Sequence, residues 1–317
     1  MESYSALIPI RNGLSYLPKL KSYFDAIPSN FEIVIVDDDS SDGTSSFLNE
    51  WERTDERVCL VKAKGEGVVK ALNLGLSASQ SDWIFRFDVD DTYQPERISS
   101  QLSLINQPNL VACFSDYEIV SESNYNLGYI PSAINSSATY LSLISSSRTP
   151  HPSAMLRREA LTEIGGYKDQ DLPCEDLGLW LRLKKLGNLS SIPQPTLQWR
   201  MSANSLTGAN RASMKHRKNQ LLAEFFDFEF AKNIFLNESE EILASYDKEN
   251  YAVERKLLYI FDLIRINNFR DELHIADMKF LFRALSHFEN FSGLTRLSLE
   301  RFRRDIYRYQ QTKANRY

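Results

Sequence analysis

Short apolar runs alternate with helix-like segments through the first half of the chain, and this rhythm constrains the fold more than any other feature. Runs at 5–10, 31–36, 58–61 and 83–87 are each followed by apolar residues at helical spacing, a pattern that builds a mainly parallel α/β sheet covered by helices. In such sheets ligands gather beyond the carboxyl ends of the strands. Those ends are polar here: Pro9, Arg11 and Asn12 after the first run, Asp37, Asp38 and Asp39 after the second, Asp88, Asp90 and Asp91 after the fourth. Three strand ends therefore converge on one candidate site. The stretch SSDGTSSFLNEW, beginning at Ser40, carries Ser and Asp oxygens that can accept the free N–H groups of a helix's first turn. Gly65 and Gly67 open another helix over 68–78; neither fits G-x-G-x-x-G, so a dinucleotide fold is not supported.

The fourth run, WIFRFDVDD at 83–91, gathers three carboxylates directly after apolar residues. Like charges so close disfavour one another's ionisation unless a cation neutralises them. The natural partner is a hard divalent ion, Mg2+ or Mn2+, which takes oxygen ligands and often completes its shell with substrate phosphates. The motif points to an enzyme handling a phosphorylated substrate.

From about Leu110 the rhythm loosens, with a strand expected at 110–114, a helix at 137–144, and Ser-rich loops at 135–137 and 145–147. At His151, HPSAMLRREALTEIGGY predicts a short strand and a helix ended by Gly165 and Gly166. A second acidic pair, Glu175 and Asp176, then heads LGLWLRLKKLG, whose Leu177, Trp180, Leu181 and Lys184 are helically spaced. The pair thus sits in a first turn, where the helix dipole favours anions. Helix capping and catalysis are both open readings of it.

Composition sets the outer limits. The chain has 317 residues, 43% apolar and 25% charged, as in globular proteins with a full core. Cys59, Cys113 and Cys174 match neither a disulfide framework nor a zinc spacing, which suits a reducing cytoplasm. The N-terminal MESYSALIPI is not a basic-then-apolar leader, and no run approaches the ~20 apolar residues of a membrane span. A net charge of −5 argues against nucleic-acid binding. Beyond residue 207 the pattern turns helical and charged, with segments at 214–230, 250–266, 278–289 and 294–309. The chain therefore divides into an α/β domain at 1–207 and a helical C-terminal region at 208–317. From Arg296 to Tyr317 seven Arg or Lys face two acids. That stretch is either an amphipathic helix docked on its own protein or a contact for anionic lipid headgroups.

In order and spacing these pieces resemble the family 2 glycosyltransferases, inverting enzymes of the GT-A fold, particularly bacterial members that build capsule, exopolysaccharide and O-antigen chains. The resemblance runs from about Ala6 to Ser205. It rests on P-x-x-N-G at 9–13, EIVIVDDDSSDGT at 32–44, GVVKALNLGL at 67–76, RFDVDD at 86–91, HPSAMLRREALTEIGGY at 151–167 and EDLGLWLRL at 175–183. It implies that Asp90 is the main ligand of Mg2+ or Mn2+, with Asp88 near the ribose or donor sugar and Asp91 in support. It further implies that Asp38 recognises the base, that Pro9, Arg11 and Asn12 line the nucleotide pocket, and that Lys70 either supports the nucleotide or faces solvent. Asp176 is implied as the general base, Glu175 as an acceptor-side residue that orients acceptor or base, and His151 and Arg158 as acceptor-side or structural residues.

Two departures stand out. Many relatives carry an aromatic residue where this chain has Arg11, and where relatives often read R-x-H this chain has Arg200 followed by Ser202, a poor metal ligand. Arg200 or His216 is then the candidate phosphate contact. The implied partners are a nucleotide-sugar donor, a UDP-sugar in particular, and a glycan or lipid-linked glycan acceptor, handled in the cytoplasm or at the inner face of the membrane. Three rivals stay open: a haloacid-dehalogenase-type phosphatase, because DVDDT fits D-x-D-x-T; a nucleotidyltransferase, which lacks its usual Gly-rich loop here; and a non-catalytic sugar-nucleotide-binding protein.

Overall fold

In the computed structural model, which describes residues 2–27, 30–130, 132, 136–145, 149–201 and 211–227, the four apolar runs become β1 (Tyr4–Ile10), β2 (Phe31–Asp38), β3 (Val58–Ala63) and β4 (Trp83–Arg86). They pair in parallel in the order β3-β2-β1-β4. Successive side chains on a strand point to opposite faces. Leu7 and Val36 therefore pack with Val69 and Leu72 of α3 (Val68–Ala78), whereas Ile8 and Ile35 pack with α1 (Leu17–Asp25) and α2 (Thr44–Thr54) through Leu20, Phe24, Leu48 and Trp51. On the α3 side the contact is backbone-close: a Cβ on Gly75 would lie 2.1 Å from Leu7 Cδ1.

The start of α2 differs from expectation. Its N-cap is Gly43, with φ of 98°, and no side chain caps it. Asp42 instead accepts N–H bonds from Thr44 at 3.0 Å and from Leu14 at 3.1 Å, tying the turn after β1 to the turn after β2.

The second half comprises β5 (Thr92–Tyr93), α4 (Arg97–Leu102), β6 (Leu110–Ser121), β7 (Asn126–Ile130), α5 (Ser136–Ser145), β8 (Met155–Arg157), α6 (Arg158–Glu163), α7 (Glu175–Leu183), β9 (Asn188–Met201) and α8 (Arg211–Phe225). The sheet continues β4-β8-β6-β9-β5, with β7 on β6. Pairing is antiparallel for β4–β8, β6–β8, β6–β7 and β5–β9, and parallel for β6–β9. The parallel character expected for the sheet thus holds for β1–β4 and gives way to mixed pairing beyond.

Other boundaries moved for identifiable reasons. The strand expected at 110–114 extends to Ser121 because β9 pairs with it along its whole length. Residues 151–153 form a 3-10 turn rather than a strand, as suits Pro152, which has no N–H for a ladder; the strand begins at Met155. Ser136 and Ser137 belong to α5.

Helix α8 lies beyond residue 207, yet its Leu221, Leu222 and Phe226 just past its end join the cluster that holds Leu177, Trp180 and Leu181 of α7. Phe226 stacks on Tyr140 of α5 at 4.6 Å between centroids. Ser202, Asn135, the segments at 250–266, 278–289 and 294–309 and the basic stretch from Arg296 to Tyr317 lie outside the described residues. Among the described residues no helix is long and apolar enough to cross a membrane.

Candidate active site

The acidic turn leaves β4 immediately after Arg86. Its backbone is held by Tyr93, whose hydroxyl accepts the Asp88 N–H at 2.6 Å and donates to the Asp88 carbonyl at 3.0 Å. Beneath it, buried Arg97 donates to the Arg86 carbonyl at 2.8 Å and lies 4.2 Å from the Phe87 ring centroid. Arg86 itself is buried and forms an ion pair with Asp88. Burial, and then the charge of Asp88, pushes the Asp90 carboxyl above the usual carboxylate range. Asp91 is pushed well above it by burial, Asp88 and Asp90 in that order; one of its oxygens accepts the Arg200 N–H at 2.8 Å, and the other has no hydrogen-bond partner.

An acid cluster in which burial and like charges oppose ionisation of Asp90 and Asp91 fits a divalent cation. Among the described residues no three or more His, Cys, Asp or Glu side chains form a ready-made metal cage. Asp88 and Asp90 fit an ion of the Mg2+ kind, which takes one or two carboxylates and fills its shell with water and phosphate oxygens.

Arg200 has a different use from the phosphate contact expected of it. Its Nε donates to the Asp90 carbonyl at 2.9 Å, Nη1 to the carbonyls of Ser121 at 3.2 Å and Glu122 at 3.0 Å, and Nη2 to Asn124 Oδ1 at 2.8 Å. The guanidinium pins the acidic turn to the end of β6. His216 is exposed on α8.

The first two strand ends do meet. Asn12, with φ of 54°, receives the Ser41 N–H on its Oδ1 at 2.8 Å and donates its own N–H to Ser40 Oγ at 2.9 Å. Pro9 is half-buried and Arg11 exposed at this edge. The Arg11 guanidinium and Asp39 both flank Gly65, 3.7 and 3.4 Å from where a Cβ would stand. Asp38, buried, accepts the N–H groups of Glu66 at 3.0 Å and Gly67 at 2.9 Å, so it fixes the glycine turn; each oxygen keeps a lone pair for a further donor. Burial raises the Asp37 carboxyl, but hydrogen bonds from Ser40 and Ser45 and the charge of Lys62 outweigh this and hold it low. Lys70 forms an ion pair with Asp169 at 3.1 Å, with both side chains about half exposed.

Across the site, Glu175 and Asp176 occupy the first turn of α7. The N-cap position is Cys174, which makes no side-chain cap; Asp176 Oδ1 accepts only the next N–H, of Leu177, at 2.7 Å. Burial, then Asp176, with Asp88 adding a smaller push, raises Glu175 to about 7. Asp176 is raised by burial. His151 is buried and held neutral, its pKa pushed well below the usual value by burial and then by Arg86. Its Nε2 shares a hydrogen bond with the Tyr167 hydroxyl at 2.8 Å, making it part of the wall behind the pair. Arg158 is elsewhere, donating to the Ser81 carbonyl at 2.8 Å.

Sequence reasoning gave Arg86 no role. Yet its positive charge favours the ionised form of Asp90, Asp91, Glu175 and Asp176 alike. The available signal was a cation in mid-strand among apolar residues, WIFRF, which is costly unless paired.

A pH dependence follows. A carboxyl whose folded pKa is raised binds more protons in the folded state, so stability falls as pH rises between the unfolded and folded values. For Glu175 that window runs from the ordinary glutamate value of 4.5 to about 7, and Asp90, Asp91 and Asp176 shift in the same direction. In chelator, the melting temperature is expected to drop between pH 5 and pH 8, and to drop less in Glu175→Gln. Parallel melting curves for the two proteins across that range would show that Glu175 titrates normally.

A family model described as glycosyl transferase family 2 matches residues 5–165. An uncharacterized glycosyltransferase of Rickettsia bellii is 23% identical over 65% of this chain and 30% of its own. The chain spans about a third of the length of the first curated relatives it matches. The UDP-Glc:alpha-D-GlcNAc-diphosphoundecaprenol beta-1,3-glucosyltransferase WfgD of Escherichia coli is 25% identical over 74% of this chain and 88% of its own. Among solved structures, S. aureus TarS in complex with UDP superposes with a TM-score of 0.54 at 18% identity, covering 84% of this chain and 89% of that one. The mannosyltransferase PcManGT of Pyrobaculum calidifontis, in complex with GDP-Man and Mn2+, gives 0.53 at 15% identity, covering 86% and 88%. These two share the fold.

Proposed function

We propose, since the chain belongs to glycosyl transferase family 2, that it transfers a sugar with inversion from a nucleoside-diphosphate sugar, a UDP-sugar in particular, to a hydroxyl of a glycan or lipid-linked glycan during cell-surface polysaccharide synthesis. The observation that carries this reading is the pairing of two acid groups across one buried cation. Arg86 forms an ion pair with Asp88, its charge favours ionised Asp90, Glu175 and Asp176, and the charge of Asp88 is felt at Glu175. WfgD, by its name, uses UDP-Glc and a lipid diphosphate acceptor, and the TarS and PcManGT complexes contain UDP and GDP-Man with Mn2+.

In this reading Asp38 and Arg11 take the base, and Pro9 and Asn12 shape the edge of its pocket. Asp90, with Asp88, holds a divalent cation, which when bound supplies Lewis-acid neutralisation of the departing diphosphate. Asp176 accepts the proton of the acceptor hydroxyl while that oxygen bonds to the anomeric carbon and the bond to phosphate breaks on the opposite face. Its raised proton affinity makes it a better base than a solvated aspartate. Glu175 orients the acceptor, and His151, held neutral, supports the wall. Residues 1–207 carry the transfer chemistry, and the arginine-rich stretch after Arg296 offers peripheral contact with an anionic membrane at the cytoplasmic face. The phosphatase alternative has no support: the match is to transferases, and Asp88, its required nucleophile, is ion-paired with Arg86.

Calorimetry with UDP, GDP, dTDP and CDP, each with Mn2+, with Mg2+ and with chelator, tests this. UDP is expected to bind at least about a hundredfold tighter with metal, a difference of about 2.8 kcal/mol. Equal affinity in chelator would remove the metal from the reading, and no affinity for any of the four would remove the donor.

A further inference from the structure

The three residues Asp171, Arg182 and Arg217 form a buried cluster that the transfer chemistry does not use. Asp171 ends a 3-10 turn four residues before Glu175 and is fully buried. A buried charge is costly unless it is paired and hydrogen-bonded, and this carboxylate calls for cationic donors. It has two: Arg182, from the last turn of α7, donates through Nη1 to Asp171 Oδ2, and Arg217, from α8, donates through Nη2 to Asp171 Oδ1 at 3.2 Å. The buried Nε and Nη2 of Arg182 and the Nε of Arg217 find no other acceptor among the described residues.

This cluster sits against the first turns of α7. The Asp171 carbonyl accepts the N–H of Cys174, the helix's N-cap, at 2.8 Å. Its carboxylate lies so close to Gly178 that a Cβ there would be 2.3 Å from Asp171 Oδ2. From the α8 side, the Met214 carbonyl meets Cys174 Sγ at 3.4 Å, and the charge of Lys218, next to Arg217, reaches Asp176. Apolar contact alone, through Leu221 and Leu222, would hold α8 near α7 without fixing its rotation. Two ion pairs fix both helices to one carboxylate.

We propose that α8 is a working part of the transfer site: through Arg217, Asp171 and Arg182 it clamps the first turn of α7 and so positions Glu175 and Asp176 against the acidic turn. The three are positioning residues. The inference rests on the reading of Glu175 and Asp176 as the acceptor-side acids, and it adds a structural claim that can fail separately.

The test uses the full chain carrying Arg217→Met, which keeps most of the side chain's length and removes its charge, with Arg217→Lys as the conservative variant and the exposed Glu224→Gln on the same helix as control. Amide hydrogen exchange across residues 174–178 is expected to quicken at least tenfold in Arg217→Met and to remain at the wild-type rate on β1, β2 and β4. Turnover is expected to fall by a factor of ten or more while the KM for donor and the Kd for UDP stay within twofold, and Arg217→Lys should restore most of the loss. Unchanged exchange across 174–178, or turnover within twofold of wild type, would overturn the clamp. A loss shared equally by turnover, UDP affinity and exchange on all strands would also overturn it, by showing a general brace. A wild-type protein that transfers no sugar from any donor removes the transferase reading instead, and the exchange measurement still decides the clamp.

Discussion

Asp176→Asn is expected to cut sugar transfer by roughly two to four orders of magnitude, the usual range for a lost general base, while UDP affinity in the presence of Mn2+ stays near wild type. The amide keeps the size of the side chain and its carbonyl oxygen still accepts the Leu177 N–H that Asp176 accepts at 2.7 Å. It cannot accept a proton. Because burial already opposes the charge on Asp176, the neutral amide should leave stability unchanged or slightly higher, within about 1 kcal/mol. Removing that charge should also let Glu175 ionise at lower pH, since Asp176 is one of the groups that raises it. Single-turnover transfer, UDP calorimetry and a thermal melt together check this. Wild-type transfer accompanied by a lower melting temperature would make Asp176 a helix-end residue and move the base elsewhere.

Asp90→Asn should abolish the metal-dependent part of UDP binding, a loss of roughly two orders of magnitude or more, and should stabilise the protein in chelator. Both effects come from one cause. Asp90 is pushed upward by burial and by Asp88, so the free protein is relieved when its charge is removed, and the cation loses the ligand that opposed that strain. Asp91→Asn is expected to cost about tenfold or less, the scale of one hydrogen bond. Burial, Asp88 and Asp90 all oppose the charge on Asp91, so an amide there removes little, and its oxygen can still accept the Arg200 N–H. Calorimetric titration of UDP with and without Mn2+ separates the two variants. Equal losses at both positions would show that Asp91, and not Asp90 alone, holds the ion.

The strands of the first half were legible because buried parallel strands read as continuous apolar runs, and their ends read as polar because ligands and solvent meet them there. The acidic turn and the Glu175–Asp176 pair were legible for the related reason that clustered charge beside apolar residues demands a use. What the sequence hid was long-range pairing. Strand β6 runs on to Ser121 through SDYEIVS, a stretch without clear alternation, because β9 completes it from some eighty positions away. Arg200 looked like a phosphate ligand, as any arginine near an acid motif does; that its donors are taken by the carbonyls of Asp90, Ser121 and Glu122 depends on three chain segments meeting. Lys70, open between nucleotide and solvent, pairs with Asp169, another residue distant in sequence. Asp171 and Arg217 gave no local signal, since their significance lies in the burial they share.

Arg86 bears on how such an enzyme can be redesigned. Here the two acid groups draw on the same buried guanidinium, and Asp88, its ion-pair partner, also weighs on Glu175. Grafting a foreign acidic turn onto this scaffold would therefore retune Glu175 and Asp176 without touching them, so position 86 and the 175–176 pair have to travel with the turn as one inheritable block.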